Sequence, residues 1–361
     1  VSIEYVRRYG MLSNTRAVLS ESGYSAILSH AESRRAFDLI LDQRQPSAGG
    51  ARRVIAKAVW QFLRTRPCVE RGILLHTSHS GLERERYLLD MRRRGVRPVV
   101  LVHDLIPVTH EEYCRPGVKK THRQRVHFAL KHASGILANS QDTLDTLAAE
   151  ADRQAMKIPM SAVARLASGI TSRIETVRPC ERPYFVMLGT IEPRKNHWFI
   201  LHVWRRLVEA LGHSAPMLFI IGRRGWECEN VVDLLERCEP LREHVVELPD
   251  CNDAELHAYL GHAQALLFPS FVEGYGMPLV EALSLGVPVL ASDLKVFREI
   301  AGITPDYLDP LDGPSWFQKI RSYAAQASAE RDAQLMRISQ FRAPTWAEHF
   351  QNVDRLLDRL A

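Results

Sequence analysis

Pro269-Ser270-Phe271-Val272-Glu273-Gly274-Tyr275-Gly276-Met277-Pro278-Leu279-Val280-Glu281-Ala282-Leu283 is the stretch whose reading decides the fold. Ahead of it, residues 263–268 form a short apolar run, the length of a buried parallel strand. Behind it, Leu279, Leu283 and Leu285 belong to a short helix that Gly286 ends. Pro278 suits the first helical turn, where a missing N–H is no loss. Gly274 and Gly276 lie between strand and helix, where absent side chains let backbone amides approach a ligand. The arrangement predicts an anion site at a helix N-terminus, at the C-terminal end of a strand. Glu273 opens the loop and Glu281 follows eight positions later on the helix. One carboxylate can face the reacting end of a ligand while the other accepts hydrogen bonds from hydroxyls further along it. Two glutamates at this spacing, taken alone, read as solvated side chains; the whole string changes that reading.

A chain of 361 residues is long enough for two domains with real cores. It is 46% apolar and 25% charged, which makes it globular rather than disordered. No apolar run approaches the roughly 20 residues of a membrane helix, and no signal peptide is visible. The six cysteines form no C-x-x-C pair and no ligand-like cluster, so they read as free thiols of a reducing cytoplasm. The net charge of +5 is unevenly spread. Residues 1–179 carry 29 Lys+Arg against 17 Asp+Glu, a balance of +12, and residues 180–361 carry 18 against 25, or −7. A basic first half suits an anionic partner, a membrane surface or a lipid diphosphate, or is an ordinary arginine-rich surface. Nucleic acid is not expected, since no recognition motif accompanies the charge.

Strand and helix patterns alternate through both halves. In the first, residues 15–19 and 24–28 predict strands about a Glu21-Ser22-Gly23 turn, with Ser29 capping a helix over 32–41. A loop at 45–50 precedes a basic amphipathic helix at 52–66. Strands are expected at 73–76, 96–102, 135–138 and 162–166, with helices at 82–94, 119–132 and 143–150. His103 and Asp104 end the second of these strands, where polar side chains point into the ligand crevice of a parallel sheet. They read otherwise as a structural hydrogen-bonded pair. Residues 175–183 hold two prolines and predict a linker. Beyond it, strands at 185–188, 217–221, 245–248 and 287–291 alternate with helices at 198–211, 254–260, 295–301, 316–335 and 345–360. Asp253 fits the cap of the 254–260 helix. Arg194 and Lys195 stand at the mouth of the 198–211 helix, where cations and backbone donors can hold a diphosphate together. The turn Gly222-Arg223-Arg224-Gly225-Trp226 is not a dinucleotide fingerprint.

Residues 269–283, with Gly286-Val287-Pro288-Val289-Leu290-Ala291-Ser292-Asp293 behind them, closely resemble the donor-binding signature of retaining glycosyltransferase family 4. Val100-Leu101-Val102-His103-Asp104-Leu105-Ile106-Pro107 resembles the matching part of the bacterial members that build surface polysaccharides. The resemblance runs from residue 73 to the C-terminus. It implies a GT-B fold: an acceptor-side Rossmann-like domain over 1–178, a nucleotide-sugar domain over 179–340, and a tail helix at 341–361 returning to the first domain. The family opens on a strand and a glycine-rich turn; neither precedes the helical pattern of residues 1–9, so that part of the site is expected to be missing. The implied reaction moves a sugar from a nucleotide sugar, GDP-mannose as first choice, to a lipid-linked saccharide, with retention at the anomeric carbon. By resemblance Arg194 and Lys195 bind the diphosphate, Glu273 the sugar or its oxocarbenium-like transition state, and Glu281 the ribose hydroxyls. His103, with Asp104 beside it, would contact the sugar. Gly189, Thr190, Gly222, Gly274, Tyr275, Gly276, Met277, Pro278 and Leu279 would line the donor. No D-x-D motif is present, so neither metal nor other cofactor is expected. The location implied is the cytoplasm, with peripheral contact at the inner membrane face. Two alternatives remain: a nucleotide-sugar epimerase of the same fold, and a non-catalytic relative that only binds a sugar nucleotide.

Overall fold

The computed structural model describes residues 1–21, 24–41, 72–170 and 176–361. The loop at 45–50, the basic helix at 52–66 and the start of the linker at 175 lie outside these residues. The chain divides into two units. Unit 1 comprises Val1–Thr109, Gly117–Leu166 and Trp346–Ala361, and unit 2 comprises His110–Pro116 and Ala167–Thr345.

In unit 1 two paired antiparallel strands, β1 (Val18–Glu21) and β2 (Tyr24–Ile27), precede a four-stranded parallel sheet, and the turn expected between them falls at residues 22–23, outside the described residues. The sheet runs in chain order: β3 (Ile73–His76), β4 (Arg97–Val102), β5 (Gly135–Ala138) and β6 (Met160–Val163). β1 begins three residues later than the apolar pattern suggested, and β6 two residues earlier, because pairing register rather than hydrophobicity sets strand ends. β4 shows why a parallel strand reads as a continuous apolar run. Val100 and Val102 enter one core with Leu88, Met91, Val126 and Leu130 from the helices Glu85–Arg93 and Val118–His132. Val99 and Leu101, on the other face, pack with Tyr5 and with Phe350, Val353 and Leu356 of the C-terminal helix Trp346–Leu360.

Unit 2 is a six-stranded, wholly parallel sheet of β7 (Tyr184–Leu188), β8 (Met217–Ile221), β9 (Val245–Leu248), β10 (Leu266–Phe268), β11 (Val289–Ser292) and β12 (Asp306–Leu308). Its spatial order is β12-β11-β10-β7-β8-β9. The core gathers Phe185, Leu218, Leu267 and Leu290 of the sheet under Trp204 and Trp316 of the helices His197–Leu211 and Gly313–Ala324. Two local expectations need correction. The cap of the helix Asp253–Gly261 is Asn252, whose Oδ1 accepts from Glu255 N at 3.0 Å while Glu255 answers to Asn252 N at 2.9 Å; Asp253 is already helical. The helix expected over 316–335 is two, Gly313–Ala324 and Ala329–Ile338. Ser328 caps the second by accepting from Arg331 N at 3.2 Å, and apolar spacing that continues across the break hid it. Among the described residues no helix is long and apolar enough to cross a membrane.

Candidate active site

The strand order of unit 2 selects the site. From β7 the chain winds outward through β8 and β9, then returns to β10 on the other side of β7 and winds through β11 and β12. β7 and β10 are therefore the pair at which winding reverses, and doubly wound sheets bind ligands outside the strand ends at that point. The exit of β7 brings Arg194 and Lys195, and the exit of β10 brings Glu273.

These three side chains meet. Glu273 Oε1 accepts from Lys195 Nζ at 2.6 Å and from Ser270 Oγ at 2.9 Å, and its Oε2 lies 2.7 Å from Arg194 Nη1. Arg194 Nε also reaches Glu192 Oε1 at 2.6 Å, and Lys195 Nζ lies 4.8 Å from the centre of the Phe268 ring. The side chains of Glu273 and Lys195 are only 8% and 10% exposed, so these charges are held largely out of water. Burial pushes the Glu273 carboxyl up, but Lys195 and Arg194 outweigh it and keep it below the usual carboxylate range. For Glu192 burial wins over the same two cations, and its carboxyl is raised. Two cations and two carboxylates thus share the cluster, and each cation is held in place by a direct contact to a carboxylate oxygen.

Local backbone geometry fixes these groups. Asn196 adopts the left-handed conformation (φ 58°) between Lys195 and the following helix, as asparagine tolerates well. Its Nδ2 donates to Pro310 O at 2.9 Å and Pro269 O at 3.3 Å, tying the exit of β7 to those of β12 and β10. Gly276 caps the helix Met277–Ser284 at φ 104°, and a Cβ there would lie 2.6 Å from the Phe297 ring. Its carbonyl accepts from Leu279 N at 3.0 Å and Val280 N at 3.3 Å. Pro278 has no N–H, so among the described residues the amides of Gly276 and Met277 are the ones in this cradle without a partner. At Gly222 (φ 150°) a Cβ would lie 2.2 Å from Gly189 O, and this close approach zips the exits of β7 and β8 together. Gly189 packs against the Lys195 stem, and Thr190 is exposed beside it. Tyr275 and Leu279 are 4% and 0% exposed, so their side chains serve the interior of unit 2.

Glu281 stands apart from the ion cluster. Its Oε1 lies 3.3 Å from where a Cβ at Gly169 would stand, and its carboxylate has no hydrogen-bond partner among the described residues. Burial first, then Asp253, push its carboxyl up to about 7. His103 and Asp104 belong to unit 1 and are not paired with each other. His103 Nε2 meets Thr77 O at 2.9 Å, and Asp104 Oδ1 accepts from Ile106 N at 3.0 Å, capping the short helix Ile106–Thr109. Glu192, Asn196, Ser270 and Phe268 were not legible as site residues. Ser270 and Phe268 lie within or beside the quoted stretch, but nothing in residue spacing says which loop side chains fold back onto a cation. Among the described residues no group of three or more His, Cys, Asp or Glu could hold a metal ion.

Two Rossmann-like units, one with a buried ion cluster at its switch point, give the chain the GT-B fold. Residues 170–303 match the family profile described as "Glycosyl transferases group 1". The chain is 26% identical over 245 residues to the serotype-specific mannosyltransferase WbdA of Escherichia coli, covering 62% of this chain and 29% of that protein. It is 26% identical over 227 residues to the O-antigen chain mannosyltransferase RfbU of Salmonella typhimurium, covering 62% and 60%. The chain thus spans less than two thirds of either relative. In fold it resembles sucrose-phosphate synthase from Thermosynechococcus elongatus, with a TM-score of 0.61 at 16% identity over 96% of this chain and 86% of that one. The chain is thus similar in sequence to bacterial O-antigen mannosyltransferases and, over residues 170–303, to group 1 glycosyl transferases.

Proposed function

We propose that the protein transfers a sugar, with mannose from GDP-mannose as first choice, to a lipid-linked saccharide in O-antigen or related polysaccharide assembly, with retention at the anomeric carbon. The observation that carries the reading is the bridge from Glu273 to Arg194 and Lys195 at the switch point of unit 2. In the transition state negative charge develops on the leaving diphosphate, and preorganised cations stabilise it there. Arg194 and Lys195 supply that charge, so no metal is required. The Glu273 carboxylate, kept ionised, faces the sugar, where it accepts from hydroxyls or offsets positive charge at the anomeric carbon. Glu281 accepts from the ribose. His103 and Asp104 are assigned to the sugar by family resemblance. The names of the two mannosyltransferase relatives favour mannose and an O-antigen acceptor.

The test is sugar transfer from GDP-mannose, UDP-glucose and UDP-N-acetylglucosamine into a lipid extract, with EDTA present and the product's anomeric configuration read by NMR. Glu273→Gln is expected to lower turnover at least tenfold, about 1.4 kcal/mol of barrier. Nucleotide affinity should hold or tighten, because the substitution frees two cations. Inverted product, or full turnover in Glu273→Gln, would sink the reading.

A further inference from the structure

The exit of β4 in unit 1 is held by side chains that the transferase reading leaves unused. The amide of His103 donates to His79 Nε2 at 3.1 Å. The carbonyl of His103 accepts from Asn139 Nδ2 at 2.8 Å, and the carbonyl of Asp104 meets His122 Nε2 at 3.0 Å. The anchors come from three directions: the loop after β3, the exit of β5, and the helix Val118–His132. The three imidazoles pack edge to face, His79 against His103 at 5.3 Å and His79 against His122 at 4.8 Å between ring centres.

Backbone chemistry fixes where each proton sits. An amide only donates, so His79 Nε2 must offer a lone pair and its proton must be on Nδ1. A carbonyl only accepts, so His103 carries its proton on Nε2, toward Thr77 O, and His122 on Nε2, toward Asp104 O. Nδ1 of His103 then has no partner among the described residues and is the ring position left for a ligand. In the Nε2–H tautomer that position is an acceptor, which suits a ligand hydroxyl. Burial, with His122 and His103 close by, pushes His79 down to about 2, so its lone pair persists at neutral pH.

We propose that His79 is the positioning residue of His103: its Nε2 lone pair holds the His103 amide and so aims the His103 ring with Nδ1 outward. The assignment rests on the transferase reading only where turnover is the readout. The test therefore has two arms. Long-range ¹⁵N–¹H spectra of the full chain, labelled at histidine, read tautomers without any substrate. His79 is expected as the neutral Nδ1–H form and His103 as Nε2–H; a charged or Nε2–H His79 overturns the proposal even in a protein for which no donor is found. In the second arm His79→Leu is compared with His79→Gln, whose amide oxygen can stand in for the Nε2 acceptor. With melting temperatures matched to the wild type, His79→Leu should lose tenfold or more in kcat at little change in donor KM, and His79→Gln should stay within about threefold. Full turnover in His79→Leu, or equal losses in both variants, removes His79 from the role while leaving the transferase reading intact. If His79→Leu fails to fold, His79→Gln decides alone, since a tenfold loss in that folded variant also overturns the proposal.

Discussion

Glu273 and Glu281 share a motif but not an environment, and the difference sets what each can do. Glu273 is buried against two cations and stays ionised; Glu281 is buried without one and sits at about 7. Linkage gives the sign for Glu281. Its folded value lies above the ordinary 4.5, so the folded state holds the proton more tightly than the unfolded chain. Its contribution to stability therefore falls as pH rises from about 4.5 to about 7. A ribose whose hydroxyls donate to the carboxylate reverses the preference, because it favours the charged form. Affinity for an intact nucleotide sugar, whose diphosphate does not titrate in this range, is expected to rise several-fold from pH 6 to pH 8. Titration calorimetry at those two pH values checks it, and Glu281→Gln should bind weakly and flatten the dependence. An affinity independent of pH in the wild type would remove Glu281 from the ribose.

At the scale of elements, the turns between strand and helix carry the precision. Gly276 combines a positive φ with a Cβ position inside the Phe297 ring's contact distance. Gly276→Ala adds backbone strain of about 1–3 kcal/mol to overpacking of about 1–3 kcal/mol. The predicted outcome is a lower Tm and loss of nucleotide affinity together, read by thermal melting with and without GDP. Retained affinity in the alanine variant would mean that the cradle does not depend on this turn. Such turns mark what the sequence does and does not disclose. The apolar run ahead of Pro269, the glycines and Pro278 all declare strand, turn and helix, because each acts on its own backbone. The pairing of Glu273 with Arg194 and Lys195 joins positions 78 or more residues apart, and only the order of β10 beside β7 brings them together. Resemblance supplied the residues; strand order supplied the contact. The break at 325–328 and the Asn252 cap went unread because apolar spacing carries no signal for either.

On the scale of the molecule, each unit owns its core. The unit 2 core draws on residues 185–324, and both cores of unit 1 draw on its own sheet and helices. The helix Trp346–Leu360 is distant in sequence from the strands it covers, yet it completes one face of the unit 1 sheet. His349 bonds Tyr5 OH through Nε2 at 2.9 Å and lies within 3.1 Å of the Ala164 and Arg165 carbonyls through Nδ1. Phe350 packs edge-on against Tyr5, and Val353 is fully buried beside Leu101 and Leu137. A carboxylate at position 353 would be buried without a partner, a class of change that destabilises by more than about 4 kcal/mol. Because the ion cluster of Glu192, Arg194, Lys195 and Glu273 draws every charged group from unit 2, the two consequences of Val353→Asp should separate. Hydrogen exchange is expected to accelerate across β4 and β5 while β7 and β8 stay protected, and GDP should still slow exchange at residues 189–196. If β7 and β8 lost protection in step with β4, the units would be one cooperative body. The Glu273–Arg194–Lys195 cluster would then depend on the C-terminal helix as much as on its own sheet.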